Sequence, residues 1–153
     1  MKITDFLTPD RVIADLNGTE KSAILEEMAG QLAGSESGLD PAQVLQVLQD
    51  REKISTTAIG EGVAIPHGKL PNVQKVSALF ARSLQGVDFA SLDGEPTYLF
   101  FTLIAPQDAA ADHLKALARI SRLLKDPDLR RQLLAAATRQ ELYSIIALED
   151  QKF

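Results

Sequence analysis

Residues 97–105 read TYLFFTLIA, a run in which only Thr97, Tyr98 and Thr102 carry a side-chain polar atom. It is rich in aromatic and branched residues and lacks the strict polar/apolar alternation of a half-solvated strand, which predicts a central strand covered on both faces. Upstream, VSALFARSL (residues 76–84) is the next strongest strand signal. The intervening QGVDFASLDGEP has turn residues at both ends, with Gly86 and Asp93-Gly94 as expected corners, so the two strands read as hairpin-like. RVIADL (11–16) and GVAIP (62–66) are shorter candidates, the second stopped by proline.

Helical signals flank these strands. One helix is expected to begin near Thr19, capped by Thr19 or Asn17, with Ile24, Leu25, Met28 and Leu32 at helical spacing and Gly34 as its stop. GSESG (34–38) then reads as a polar loop. Asp40-Pro41 restarts a helix, with Asp40 as cap and Pro41 where its missing N–H costs nothing. Val44, Leu45, Val47 and Leu48 supply its apolar face, and it should end close to Lys53. In the last third, Leu114, Leu117, Ile120, Leu123 and Leu124 form an expected buried stripe, broken at Pro127. Two short helices follow, capped by Asp126 or Asp128 and by Thr138. Strands interleaved with helices, one strand fully buried, predict an α/β layered sandwich: a mixed β-sheet flanked by helices on both faces, in one domain spanning 1–153.

Composition narrows the function. Of 153 residues, 45% are hydrophobic and 24% charged, an ordinary globular balance with enough apolar residues for a continuous core. No apolar run approaches the ~20 residues of a membrane span. MKITDFLTPDR lacks a secretory apolar core, so a cytoplasmic protein without membrane insertion is expected. The absence of cysteine removes disulfides, thiolate metal sites and cysteine nucleophiles. The net charge is −5 and the basic residues are scattered. Their densest group, Lys125, Arg130 and Arg131, sits among Asp126 and Asp128 and reads as a solvated helix end rather than a nucleic-acid patch.

His67 stands in AIGEGVAIPHGKLPNV (58–73). Pro66 fixes its own φ and pushes Ile65 to an extended conformation, while Gly68 permits a sharp turn and leaves room beside the ring. A neutral imidazole held so at a strand end is available as a nucleophile near neutral pH. The same frame also describes an ordinary turn histidine with a satisfied hydrogen bond, and spacing leaves both readings open. His67 and His113 are far apart in the chain and form no short-range metal-ligand pattern, and no G-x-S-x-G elbow supports a hydrolase.

The segment TTAIGEGVAIPHGKL, with DREKISTTAIG upstream and DHLKALARISRLL downstream, resembles the enzyme IIA family of the bacterial phosphoenolpyruvate-dependent sugar phosphotransferase system, mannitol/fructose type. With HGKL and no appended membrane or IIB-like region, the likeness is to the stand-alone nitrogen-regulatory branch. The resemblance implies that His67 accepts a phosphoryl group from a small HPr-like histidine phosphocarrier protein, and that the two phosphorylation states bind different downstream regulatory targets. A sugar-specific enzyme IIA unit serving a fructose or mannitol permease is the alternative. By the same resemblance Arg51 is the active-site arginine and His113 the second active-site histidine. A guanidinium grips two phosphate oxygens at once, and an imidazole at a helix start can donate to phosphate. Arg51 otherwise reads as a helix-end residue paired with Asp50 or Glu52, and His113 as a partly exposed helix residue beside Asp112. Ser55, Thr56 and Thr57 are either hydroxyl contacts or a plain strand entry. Val63, Ile65 and Leu70 are expected at the rim of a small docking patch, of roughly 1,200 Å² or less. No metal and no cofactor are expected.

Overall fold

The structure, a computed structural model, describes residues 1–35, 38–71 and 73–152. Glu36 and Ser37 of the expected polar loop lie outside the described residues. In chain order the strands are β1 (Val12–Ile13), β2 (Ala58–Gly60), β3 (Val63–Ala64), β4 (His67–Leu70), β5 (Ser77–Val87) and β6 (Thr97–Pro106). The helices are α1 (Lys21–Ser35), α2 (Pro41–Ile54), α3 (Ala110–Leu124), α4 (Pro127–Ala135) and α5 (Arg139–Asp150).

The apolar run at 97–105 is the central strand, as its composition demands. β5 pairs with it antiparallel, Phe80 opposite Phe101, while β3 and β4 lie end to end along its other side, both parallel to it. β1 joins β5 in parallel and β2 joins β3 antiparallel, giving the mixed sheet. Pro66 interrupts the β3–β4 line because it has no N–H to give, although its carbonyl still accepts from the Leu103 N–H (2.9 Å). His67, opposite Leu103, reopens the ladder.

Alternation along β6 divides the core in two. Leu99, Phe101, Leu103 and Ala105 meet Ala116, Ile120, Leu123, Leu133, Leu142 and Ile146 of α3, α4 and α5. Phe100 and Ile104 meet Ile24, Met28, Leu32, Val44 and Leu48 of α1 and α2. Helices therefore cover both faces, as the sequence predicts. Burial on this scale contributes about 1.5–3 kcal/mol per large side chain, before conformational entropy opposes it.

Several boundaries differ from expectation for local reasons. The 11–16 candidate keeps only Val12–Ile13 as strand, and Arg11 belongs instead to a 3-10 turn at residues 9–11. Gly34 lies inside α1, and the positive φ belongs to Gly38. Asn17 takes part in the α1 entry through its main chain, donating to the Glu27 carboxylate (3.0 Å) alongside Gly18. Gly86 is a bulge within β5, where a Cβ would come 2.8 Å from the Tyr98 ring. Asp93-Gly94 is a turn as expected, the Gly94 N–H donating to the Ser91 carbonyl. Asp40, Asp126 and Thr138 cap α2, α4 and α5 by accepting from Ala42, Asp128 and Glu141. The basic cluster is occupied at a helix end: Arg130 donates to the Leu124 and Lys125 carbonyls, and Arg131 pairs with Asp128.

α3, which will matter for the site, is anchored away from it. Arg119 bonds the buried Asp150 carboxylate (2.7 Å) and its carbonyl (2.8 Å), tying α3 to the end of α5.

Candidate functional site

β4 is short and carries HGKL. Strand alternation sends Gly68 and Leu70 towards α2, where Leu70 joins the core with Val44 and Leu48. His67 and Lys69 face the other way, and the His67 ring meets His113 of α3. Gly68 has a structural task different from the sharp turn expected of it. A Cβ there would lie 2.9 Å from Cγ2 of Val47, so glycine is what lets α2 lie flat on β4.

An open cleft of about 530 Å³ lies between α2 and α3 across β4, lined by Val47, Asp50, Arg51 and Ile54 from α2, His67, Gly68 and Lys69 from β4, and Ala110, His113, Leu114 and Leu117 from α3. His67, Arg51 and His113 thus converge from three elements.

His67 Nδ1 lies 2.8 Å from the Ile65 carbonyl. A carbonyl only accepts, so Nδ1 carries the proton and Nε2 keeps its lone pair. Partial burial holds the His67 pKa below the ordinary histidine value; the Ile65 hydrogen bond opposes this, the Arg51 charge lowers it further and the Glu52 charge raises it. The net result is a neutral, oriented imidazole.

The His113 ring stands edge-on to His67, centroids 5.4 Å apart and planes at 78°. Only 5% of His113 is exposed, and its Nε2 is buried without a hydrogen-bond partner among the described residues. Burial, then the His67 and Lys69 charges, lower its pKa to about 4. It sits at the start of α3, whose cap residue Ala109 offers no side-chain hydrogen bond to the first-turn N–H groups. The partly exposed reading of His113 does not hold. The rotation of α3 that buries it turns Leu114 outward: Leu114 is 67% exposed and leaves the expected stripe, which runs instead through His113, Ala116, Ile120, Leu123 and Leu124.

Arg51 pairs with neither Asp50 nor Glu52. Its Nη1 donates to the Ser55 carbonyl (3.0 Å) at the end of α2, while Asp50 accepts from Gln46 and Glu52 pairs with Lys21. Of the three hydroxyl residues, only Ser55 touches the site, through Arg51. Thr56 donates to the Phe89 carbonyl and Thr57 to Glu52. The expected rim is also corrected. Val63, Ile65 and Leu70 are buried in the two cores, and the apolar margin is made by Val47, Ile54, Leu114 and Leu117. Ile54 and Lys69 were not singled out from sequence; the exposed end of an apolar helix face and the outward register of Lys69 beside His67 were the available signals.

Among the described residues no cluster of three or more His, Cys, Asp or Glu side chains could hold a metal ion, and no helix is long and apolar enough to cross a membrane.

A mixed sheet between helical layers is the fold of a phosphotransferase-system enzyme IIA. Residues 5–148 match the family model described as phosphoenolpyruvate-dependent sugar phosphotransferase system, EIIA 2, and the chain belongs to that family. Within it, the chain is 48% identical to a nitrogen regulatory protein of Bradyrhizobium diazoefficiens, over 97% of this chain and 96% of that one. It is 38% identical to the fructose-specific EIIABC component of Bacillus subtilis, over 99% of this chain but 24% of that longer one. The crystal structure of nitrogen regulatory protein IIA-Ntr from Neisseria meningitidis superposes with a TM-score of 0.88 at 30% identity, over 94% of this chain and 98% of that one.

Proposed function

We propose that this protein is a regulatory phosphoryl acceptor of a nitrogen-related phosphotransferase system, phosphorylated at Nε2 of His67 by a histidine phosphocarrier protein. The observation that carries the reading is the His67 Nδ1–Ile65 carbonyl bond, which leaves Nε2 as the ring's nucleophilic nitrogen in a cleft shared with Arg51 and His113. Likeness over nearly the whole length of a nitrogen regulatory protein supports the regulatory branch.

In the transfer, the N–P bond of the donor phosphohistidine breaks, its electron pair returns to the donor ring, and the Nε2 lone pair of His67 takes the phosphorus. The Ile65 carbonyl steadies the positive charge the His67 ring acquires. Arg51 and His113 supply hydrogen bonds to phosphoryl oxygens, and the catalytic work is positioning and charge stabilisation. Adding about −2 charge to a chain of net charge −5 changes which partners bind.

The test is incubation with phosphoenolpyruvate and the upstream carriers. The expected product gains the mass of one phosphoryl group in an acid-labile, base-stable linkage, and His67→Ala gains none. Phosphate still appearing on His67→Ala overturns the assignment. The Bacillus relative favours a second reading, a sugar-specific unit. Onward transfer to a fructose-type IIB domain at rates matching uptake would select it.

A further inference from the structure

Beneath Arg51 lies an ionic cluster the transfer chemistry does not use. Glu52 is 9% exposed, and its carboxylate accepts the Thr57 N–H (3.2 Å to each oxygen), the Thr57 hydroxyl and the Lys21 ammonium (2.8 Å). Lys21 sits 4.7 Å from the centroid of the Phe89 ring, and the Phe89 carbonyl accepts from Thr56. Thr56 also takes the Ala58 N–H. The link from α2 to β2 is therefore pinned at two consecutive threonines. Its first residue, Ser55, holds Arg51 by its carbonyl.

We propose that Glu52 is a positioning residue for Arg51: by clamping Thr57, with Lys21 as counter-ion, it fixes the Ser55 carbonyl that aims the guanidinium at the His67 cleft. The inference rests on the phosphoryl-acceptor reading above. A buried ion pair is a poor source of stability, because desolvating two charges offsets most of their attraction, so stability alone does not account for it. What a carboxylate adds is a rigid fork for one N–H and one O–H of Thr57, two residues past the Ser55 carbonyl that must not wander. Its charge also opposes that of Arg51 at His67. Misplacing such a group by an ångström costs as much as a hundredfold in rate.

The experiment is a double-mutant cycle on the full chain, measuring single-turnover transfer from the phosphorylated carrier. Glu52→Gln is expected to slow the saturated rate by roughly tenfold or more, leaving the donor KM unchanged. Arg51→Ala/Glu52→Gln is expected to be no slower than Arg51→Ala alone, because Glu52 acts through Arg51. A wild-type rate in Glu52→Gln, or losses that multiply in the double variant, overturns this proposal. If Glu52→Gln does not fold, Thr57→Val removes one arm of the clamp and gives the same cycle. A wild-type chain that accepts no phosphoryl group overturns the acceptor reading and this proposal together, whereas normal transfer by the Glu52 variant overturns this proposal alone.

Discussion

His67 and His113 meet edge to face with their ring centroids 5.4 Å apart, and neither ring can take a proton without raising the cost for the other. His113 titrates near 4 when folded and near its ordinary 6.5 when unfolded, so below about pH 6.5 the unfolded chain binds the extra proton. Stability contributed by neutral His113 is complete above that pH and is lost as pH falls towards 4. His67, lowered by burial, adds to the same limb. Lys69 is the other charge acting on His113. Urea unfolding at a series of pH values is expected to show this acid limb in the wild type and a shallower one in His113→Gln. Equal slopes would refute the linkage.

Arg51 is half-buried and, among the described residues, hydrogen-bonds only Ser55, through its carbonyl (3.0 Å) and its hydroxyl (3.5 Å), so its removal costs little stability. Arg51→Ala is expected to shift unfolding by about 1 kcal/mol while slowing phosphoryl transfer by at least tenfold. Arg51→Lys keeps the charge but loses the planar fork, and is expected to recover only part of the rate. Full recovery by lysine would mean that charge alone is used.

The elements with a strong repeat or a long apolar run were legible in the sequence: β6, β5, α2 and α4 with their caps. β2 and β4 were not, because three or four residues with a glycine carry no period and owe their pairing to β3 and β6. Periodicity could not choose between His113 and Leu114, which are adjacent on the helix; the rotation of α3 against the sheet decides. Val63, Ile65 and Leu70 looked like a rim because they neighbour His67 in the chain, yet alternation turns apolar strand residues inward. The convergence of Arg51 and His113 on His67 is tertiary, and only the family resemblance anticipated it.

Gly68 and Val47 test the packing that brings α2 to the histidine strand. A Cβ at Gly68 would lie 2.9 Å from Val47 Cγ2 and 3.1 Å from its Cβ, well inside ordinary carbon contact, and a β-branched residue in a helix has little rotamer freedom to yield. Gly68→Ala is expected to lose about 1–3 kcal/mol in urea unfolding. Val47→Ala, placed in the same chain, should restore part of that loss. Two independent, additive losses would show that the two residues are not in steric conflict.

Ile54 and Leu114 face each other's helices across the cleft and are 80% and 67% exposed, large apolar side chains that do nothing for the core. Their position fits a carrier that docks briefly around His67, where a few apolar contacts carry most of the affinity. Ile54→Asp and Leu114→Asp are each expected to raise the donor KM about tenfold, leave the saturated transfer rate near wild type, and shift stability by about 0.5 kcal/mol or less. Leu92, 75% exposed and outside the cleft lining, is the control: Leu92→Asp should change neither KM nor rate. A KM effect equal in all three variants would reflect added negative charge on an acidic protein. One confined to Ile54 and Leu114 would locate the donor on the apolar margin.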